Sequence, residues 1–187
     1  MLINQRGFSL LEVLIAMLIG SVLLISAAKF LPGLQRAMIA QTRQQALDDE
    51  VWQRVYTVAK HLQRAGFCRG ECQGSPLVIN AQGSCVIVQW DGNANGKWDR
   101  TPSDESDQTG FRLQDGALET LRGADSCSGK GWEKMTDPRL LNITRFSVAK
   151  RKHSGFADEL TVTLAAGVAG HADEQIAASF SVTGYNL

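Results

Sequence analysis

Twenty-one residues, Phe8 to Ala28, run with Glu12 as their only charge, and no other feature of the chain restricts its fold so far. At about 1.5 Å per residue, a helix of that length reaches roughly 30 Å, the thickness of a bilayer's hydrocarbon core. Only Met1 to Gly7 stand ahead of it, with Arg6 their single charge. A cation held on the cytoplasmic side orients the N-terminus in and the remainder out. Glu12 is the anomaly. An ionisable side chain at membrane depth costs roughly 2.5–3.5 kcal/mol on insertion scales, so its default reading is functional, with a partner to be named. The competing structural reading leaves it in the headgroup region. Ser26-Ala27-Ala28 imitates a signal-peptidase site, but a cleaved secretory signal has a shorter apolar region followed by polar mature sequence.

After the span, Phe30-Leu31-Pro32-Gly33 combines a residue that removes a backbone donor with one of low helix propensity, and predicts a kink or melted turn. Helical spacing then resumes. Leu47, Val51, Val55, Val58 and Leu62 recur every three or four residues, widened by Trp52, Tyr56 and Ala59, and Gly66 is a suitable stop. The opposite face carries Arg43, Gln44, Asp49, Gln53, Arg54, Lys60 and Gln63. The expected product is one long N-terminal helix, with a membrane half over 8–31 and an amphipathic continuation over 32–66. An aromatic stripe of this kind is read as core.

Residues 67–187 read as strands and loops, so the fold class is α+β: a long helix packed on an antiparallel β-sheet domain. Val86 to Trp90 is a compact β-prone run. Phe111-Arg112-Leu113 and Ala117 to Leu121 flank Asp115-Gly116 as a hairpin. Ile143 to Lys150, Leu160 to Ala166 and Ile176 to Thr183 each alternate apolar with polar residues. They predict a three-stranded meander, with Gly167 to Glu174 as its second connection and the earlier hairpin as an added sheet. Outside Arg6, Lys29 and Glu12, 17 basic residues face 18 acidic ones, a field too weak for broad nucleic-acid binding. The run Lys150-Arg151-Lys152 is read as a solvated turn.

Cys68, Cys72, Cys85 and Cys127 all lie beyond the span, and an even number in an oxidising compartment implies two disulfides with three possible connectivities. A local Cys68–Cys72 bridge, leaving Cys85 with Cys127, is the slight preference. Zinc would need closer Cys clusters. In "DGNANGKWD", Asp91, Asn93 and Asn95 precede Gly96, and Asp99 follows, matching the first part of a calcium loop. The match fails at position twelve, which is Pro102, although Asp104, Glu105 or Asp107 offers a remote carboxylate. Calcium here would be structural, and a plain Asn/Asp/Gly turn accounts for the same residues. No cofactor is otherwise expected. His61, His153 and His171 have no nucleophile or metal-ligand motif beside them. His61 is read as a surface or packing residue, and the chain is not expected to be an enzyme.

Arg6-Gly7-Phe8-Ser9-Leu10-Leu11-Glu12, followed by the apolar helix, resembles the class III leader of type IV prepilins and type II secretion pseudopilins. The resemblance implies a leader peptide over 1–7, cut after Gly7 by prepilin peptidase at the inner face of the membrane, with Phe8 N-methylated. Glycine lets the protease approach the backbone, and a cut ahead of the span leaves an anchored product. The new α-amine at Phe8 is a natural partner for a carboxylate in a low-dielectric setting, and the resemblance implies that Glu12 meets the amine of a neighbouring subunit during assembly. "AGFCRGECQG" and "SCVIVQWDGNANG" are similar to the larger minor pilins of the PilW and secretion-J type. The implied function is a minor pilin or pseudopilin-like subunit that helps initiate or cap a fibre. Its implied partners are prepilin peptidase, other minor and major pilins or pseudopilins, and an inner-membrane assembly platform. A type II secretion minor pseudopilin is the nearest alternative, and a single-pass anchored periplasmic binding or enzyme domain is the alternative of another class.

Overall fold

The computed structural model describes residues 7, 9–100, 105–168 and 171–187, without the side chains of 171–174. Phe8, Pro102, Asp104 and the side chain of His171 therefore lie outside the described residues. Two compact units divide the chain between Gln45 and Ala46.

Helix α1 runs from Leu10 to Arg64. In the first unit its apolar side chains are exposed throughout. The few hydroxyls turn back onto the helix, with Ser21 Oγ donating to the Leu18 carbonyl and Ser26 Oγ to that of Val22, both at 2.8 Å. Such back-bonding leaves little polar surface to desolvate in lipid. The expected break at Pro32 does not occur, and helical backbone continues through Pro32-Gly33. Proline forfeits one hydrogen bond to the carbonyl four residues earlier, and the continuous helix on either side outweighs that loss.

In the second unit, Val51, Val55, Val58, Ala59 and Leu62 are buried, Leu47 and Trp52 partly so, and Tyr56 stays half exposed. α1 stops at Gly66, whose φ of +85° favours glycine and whose N–H donates to the Gln89 carbonyl at 2.8 Å. A Cβ there would collide with the Asn186 backbone.

Among the described residues, eight strands form two antiparallel sheets. The first contains β1 (Leu77–Ile79), β2 (Cys85–Gln89), β3 (Gln108–Gln114), β4 (Ala117–Arg122) and β5 (Glu133–Lys134), in that order. The second is the expected meander of β6 (Leu141–Arg151), β7 (Asp158–Val168) and β8 (His171–Gly184). The β3–β4 hairpin closes with Gln114 opposite Ala117. Its Asp115 and Gly116 take φ of +49° and +73°, as the primed turn of an Asp-Gly hairpin requires. β1 and β5 have no clear signal in the sequence, being three and two residues long. The expected connection at Gly167 to Glu174 is largely strand, because β7 continues to Val168 and β8 begins at His171.

In β6 the buried positions are Leu141, Ile143, Phe146 and Val148, an alternation that skips one residue. The register shift between Ile143 and Arg145 explains it: a bulge at Thr144 returns the following apolar residues to the core side. Val86, Val88, Phe111 and Leu118 of the first sheet share a single core with α1 and with Leu160, Val162, Leu164 and Ala178 of the second.

Candidate functional site

The first turn of α1 contains the charged residue of the apolar run. Ser9 precedes the helix, and its carbonyl accepts from the N–H of Glu12 at 3.0 Å and of Val13 at 3.2 Å. Ser9 and Glu12 therefore occupy the N-cap and third helical positions, the Ser-x-x-Glu order of a capping box. A carboxylate there also meets the positive end of the helix dipole. Sequence spacing alone carried this signal, and the membrane cost of Glu12 obscured it. Gly7 is exposed.

Beyond the helix end, the structure joins Cys68 to Cys72 and Cys85 to Cys127, each with Cα atoms 6.1 Å apart. The first bridge packs on the calcium-like loop: Gly70 approaches Gly96, and the Trp98 indole donates to the Phe67 carbonyl at 3.1 Å. Asp91 is buried at 2 % exposure and clamps both segments. Its Oδ1 accepts from the Asn95 N–H, and its Oδ2 from the N–H groups of Arg69 and Gly96. Burial pushes its pKa up, but the backbone donors of Arg69, Gly96, Asn95 and Ala94 together outweigh this and hold the carboxyl below its usual range. Asn93 Oδ1 accepts from the Asn95 N–H, and Asp99 Oδ2 accepts from the side-chain amides of both Asn93 and Asn95. Asp107 closes the other end by accepting from the N–H groups of Gly92 and Asp99, both at 3.0 Å. Asp91, Asn93, Asp99 Oδ2 and Asp107 thus accept from donors of the loop and of the segment beside it. Among the described residues, no three His, Cys, Asp or Glu side chains gather as a metal-binding group. Asp107 as the second clamp was visible in the sequence only as one of several nearby carboxylates.

His61 lies edge-on to Trp90 and Phe111, with ring centroids 4.8 and 5.0 Å away. Burial, then Arg64 and Lys60, lower its pKa to about 4. It borders a cavity of about 740 Å³ that is also lined by Arg64, Trp90, Glu105, Asp107 and Arg122. A neutral imidazole between two aromatic rings is a packing residue, and its Nδ1 has no hydrogen-bond partner among the described residues.

The prokaryotic N-terminal methylation motif matches residues 2–28. A second family, described as prepilin peptidase-dependent protein B, matches residues 40–184. The chain belongs to the prepilin peptidase-dependent protein B family. Its similarity to the prepilin peptidase-dependent protein B of Escherichia coli (strain K12) is 58 % identity over 185 residues, covering 99 % of both chains. No solved structure matches. Membership joins the two ends of the molecule, because the methylation motif covers the start of α1 and the family match covers the sheets that α1 packs against. The helix is long and apolar enough to cross a membrane once.

Proposed function

We propose that the chain is a minor type IV pilin or pseudopilin-like subunit that helps initiate or cap assembly of a fibre. Residues 1–7 are the leader, 8–31 the membrane anchor, 32–66 the helix continuation and 67–187 a periplasmic domain. Prepilin peptidase cuts after Gly7 and methylates Phe8. The observation that supports this most is the methylation motif over residues 2–28, with Glu12 in the first helical turn.

The chemistry follows from magnitudes. A unit charge pair at 4 Å is worth about 4 kcal/mol at an effective dielectric of 20. That offsets an insertion cost of roughly 2.5–3.5 kcal/mol for a lone carboxylate. Cleavage creates a cationic amine at Phe8, and N-methylation keeps it cationic. Glu12 of one subunit and the amine of its neighbour then neutralise each other only when the helices stand in the right register. The work is protein association, without catalysis, and the Asp91–Asp99 loop serves as a brace without calcium.

Glu12→Gln separates assembly from helix formation, since glutamine also serves at the third position of a capping box. Processing at Gly7 should be unchanged, while the amount of the chain recovered with surface fibres or their initiating complex falls about tenfold, the equivalent of about 1.4 kcal/mol. Recovery at the wild-type level would remove Glu12 from assembly.

A further inference from the structure

The two sheets have four edges, and three are closed off. β1 has three residues and β5 has two, of which both are charged. The outer side of β6 is occupied by turns of the first sheet, the Ile143 N–H donating to the Gly116 carbonyl at 2.8 Å and the Val148 N–H to that of Gly83 at 2.9 Å. β8 is different. From Ile176 to Thr183 it has no charge and no proline, it stays in regular register with β7, and among the described residues its backbone bonds only to that strand. Soluble proteins blunt such edges with short strands, charge, proline or cover, and among the described residues the stretch from Ile176 to Thr183 has none of these, Asp173 and Glu174 standing ahead of it.

What borders the edge defines the chemistry that fits it. On the helix side Phe180 meets Tyr56 edge-on with ring centroids 5.0 Å apart, and Tyr56 stacks on Trp52 at 5.4 Å. Phe180 is 37 % and Tyr56 50 % exposed, and a groove of about 460 Å³ runs along Trp52 and Tyr56. On the other side lie small residues, Ala177, Ser179 and Ser181, with Ser179 and Ser181 hydroxyl-bonded to Thr163 and Thr161. A strand laid beside β8 would cover the aromatic rings with alternate apolar side chains and place small ones beside the hydroxyl rows.

A second copy matches that alternation but fails on direction. Phe180 meets Tyr56 and Asn186 abuts Gly66, so β8 advances in the same sense as α1. A symmetric β8–β8 pair must be antiparallel, which sets the Ala46 ends of the two helices at opposite ends of the joined sheet. Copies anchored in one membrane bring both those ends to the same side. We propose that the β8 edge, Ile176–Thr183, with the Trp52–Tyr56–Phe180 surface beside it, takes an extended segment of a different pilin-like subunit by strand addition. This rests on the assembly reading above.

The test uses the full chain in its native membrane, with the photo-reactive amino acid p-benzoylphenylalanine at Ala177, and in parallel at Leu14 on the apolar half of α1. Ser181→Lys blocks the edge and has Glu159 within reach to pair with, and Ser179→Lys is a second block should the first unfold. At Ala177 the expected product is an extended segment of another pilin-like subunit, identified by peptide mass, and its yield falls about tenfold in Ser181→Lys. The block should shift Tm by no more than about 2 °C and leave the Leu14 yield unchanged. A second copy, a partner helix, or a product indifferent to the block overturns the proposal. Pilin-like partners captured at Leu14 but not at Ala177 overturn strand addition and leave assembly standing. Capture at neither position overturns the assembly reading and the strand proposal with it.

Discussion

His61 carries a pH dependence that its position in a helix stripe does not announce. Its pKa is about 6.5 in the unfolded chain and about 4 in the folded one, where burial, Arg64 and Lys60 oppose its charge. Above pH 6.5 both states hold it neutral and it contributes nothing to the balance. As pH falls from 6.5 through 4 the unfolded state takes the proton first, so stability is lost, by about 3 kcal/mol in all. Glu105, Asp107 and Arg122 border the same cavity. His61→Phe keeps a ring between Trp90 and Phe111. It should match the parent at pH 7 and exceed it by about 2–3 kcal/mol at pH 4.5, read by urea denaturation. Parallel pH profiles would show that His61 titrates normally in the fold. The sequence left His61 as a surface or packing residue, and what decides for packing is its contact with Trp90 and Phe111, which are distant in sequence. Glu12 shows the reverse: the Ser9-x-x-Glu12 spacing holds its capping-box position in the sequence, but the cost of a charge at membrane depth obscured it.

Elements with long patterns were legible and short ones were not. The stripe from Leu47 to Leu62, the Asp-Gly hairpin and the three meander strands each carry enough residues to declare a period. β1 and β5 exist because β2 and β4 offer them an edge, a tertiary cause without a local signal. The break expected at Pro32 failed because one missing hydrogen bond does not outweigh the helix on either side. The two disulfides should differ in weight. In the chain-entropy account, a separation of 42 residues between Cys85 and Cys127 stabilises by about 4 kcal/mol, and a separation of 4 between Cys68 and Cys72 by about 2. Replacing Cys85 and Cys127 by alanine should lower Tm by about 10 °C, and replacing the local pair by about half of that. A larger loss from the local pair would show that its packing on the Asp91–Asp99 loop, and not chain entropy, governs its effect. For that loop, matched melts in chelator and in millimolar calcium should agree within about 2 °C, because Asp91 and Asp107 already accept from backbone N–H groups. A rise with calcium would mean that the ion displaces them.

At the scale of the whole molecule, the chain unites two parts with different solvents: an apolar helix that buries nothing within its own first unit, and a disulfide-linked two-sheet domain with its own core. A secreted protein has no use for the first part after export, and a simple anchor has no use for Glu12. In the proposed processing, a cut ahead of the span, at Gly7, would keep the helix and create a cation to answer Glu12, and the methylation motif over residues 2–28 is what points to it. The loop and sheet surfaces that distinguish one subunit from another were the least legible from sequence, since they depend on which edges the fold leaves open. All of this depends on the processing step, which intact-mass and N-terminal peptide analysis of the membrane-extracted chain reads out. The mature chain should begin at Phe8 and carry one added methyl group on its amine. A chain that retains Met1, or one that begins after Ala28, would contradict it.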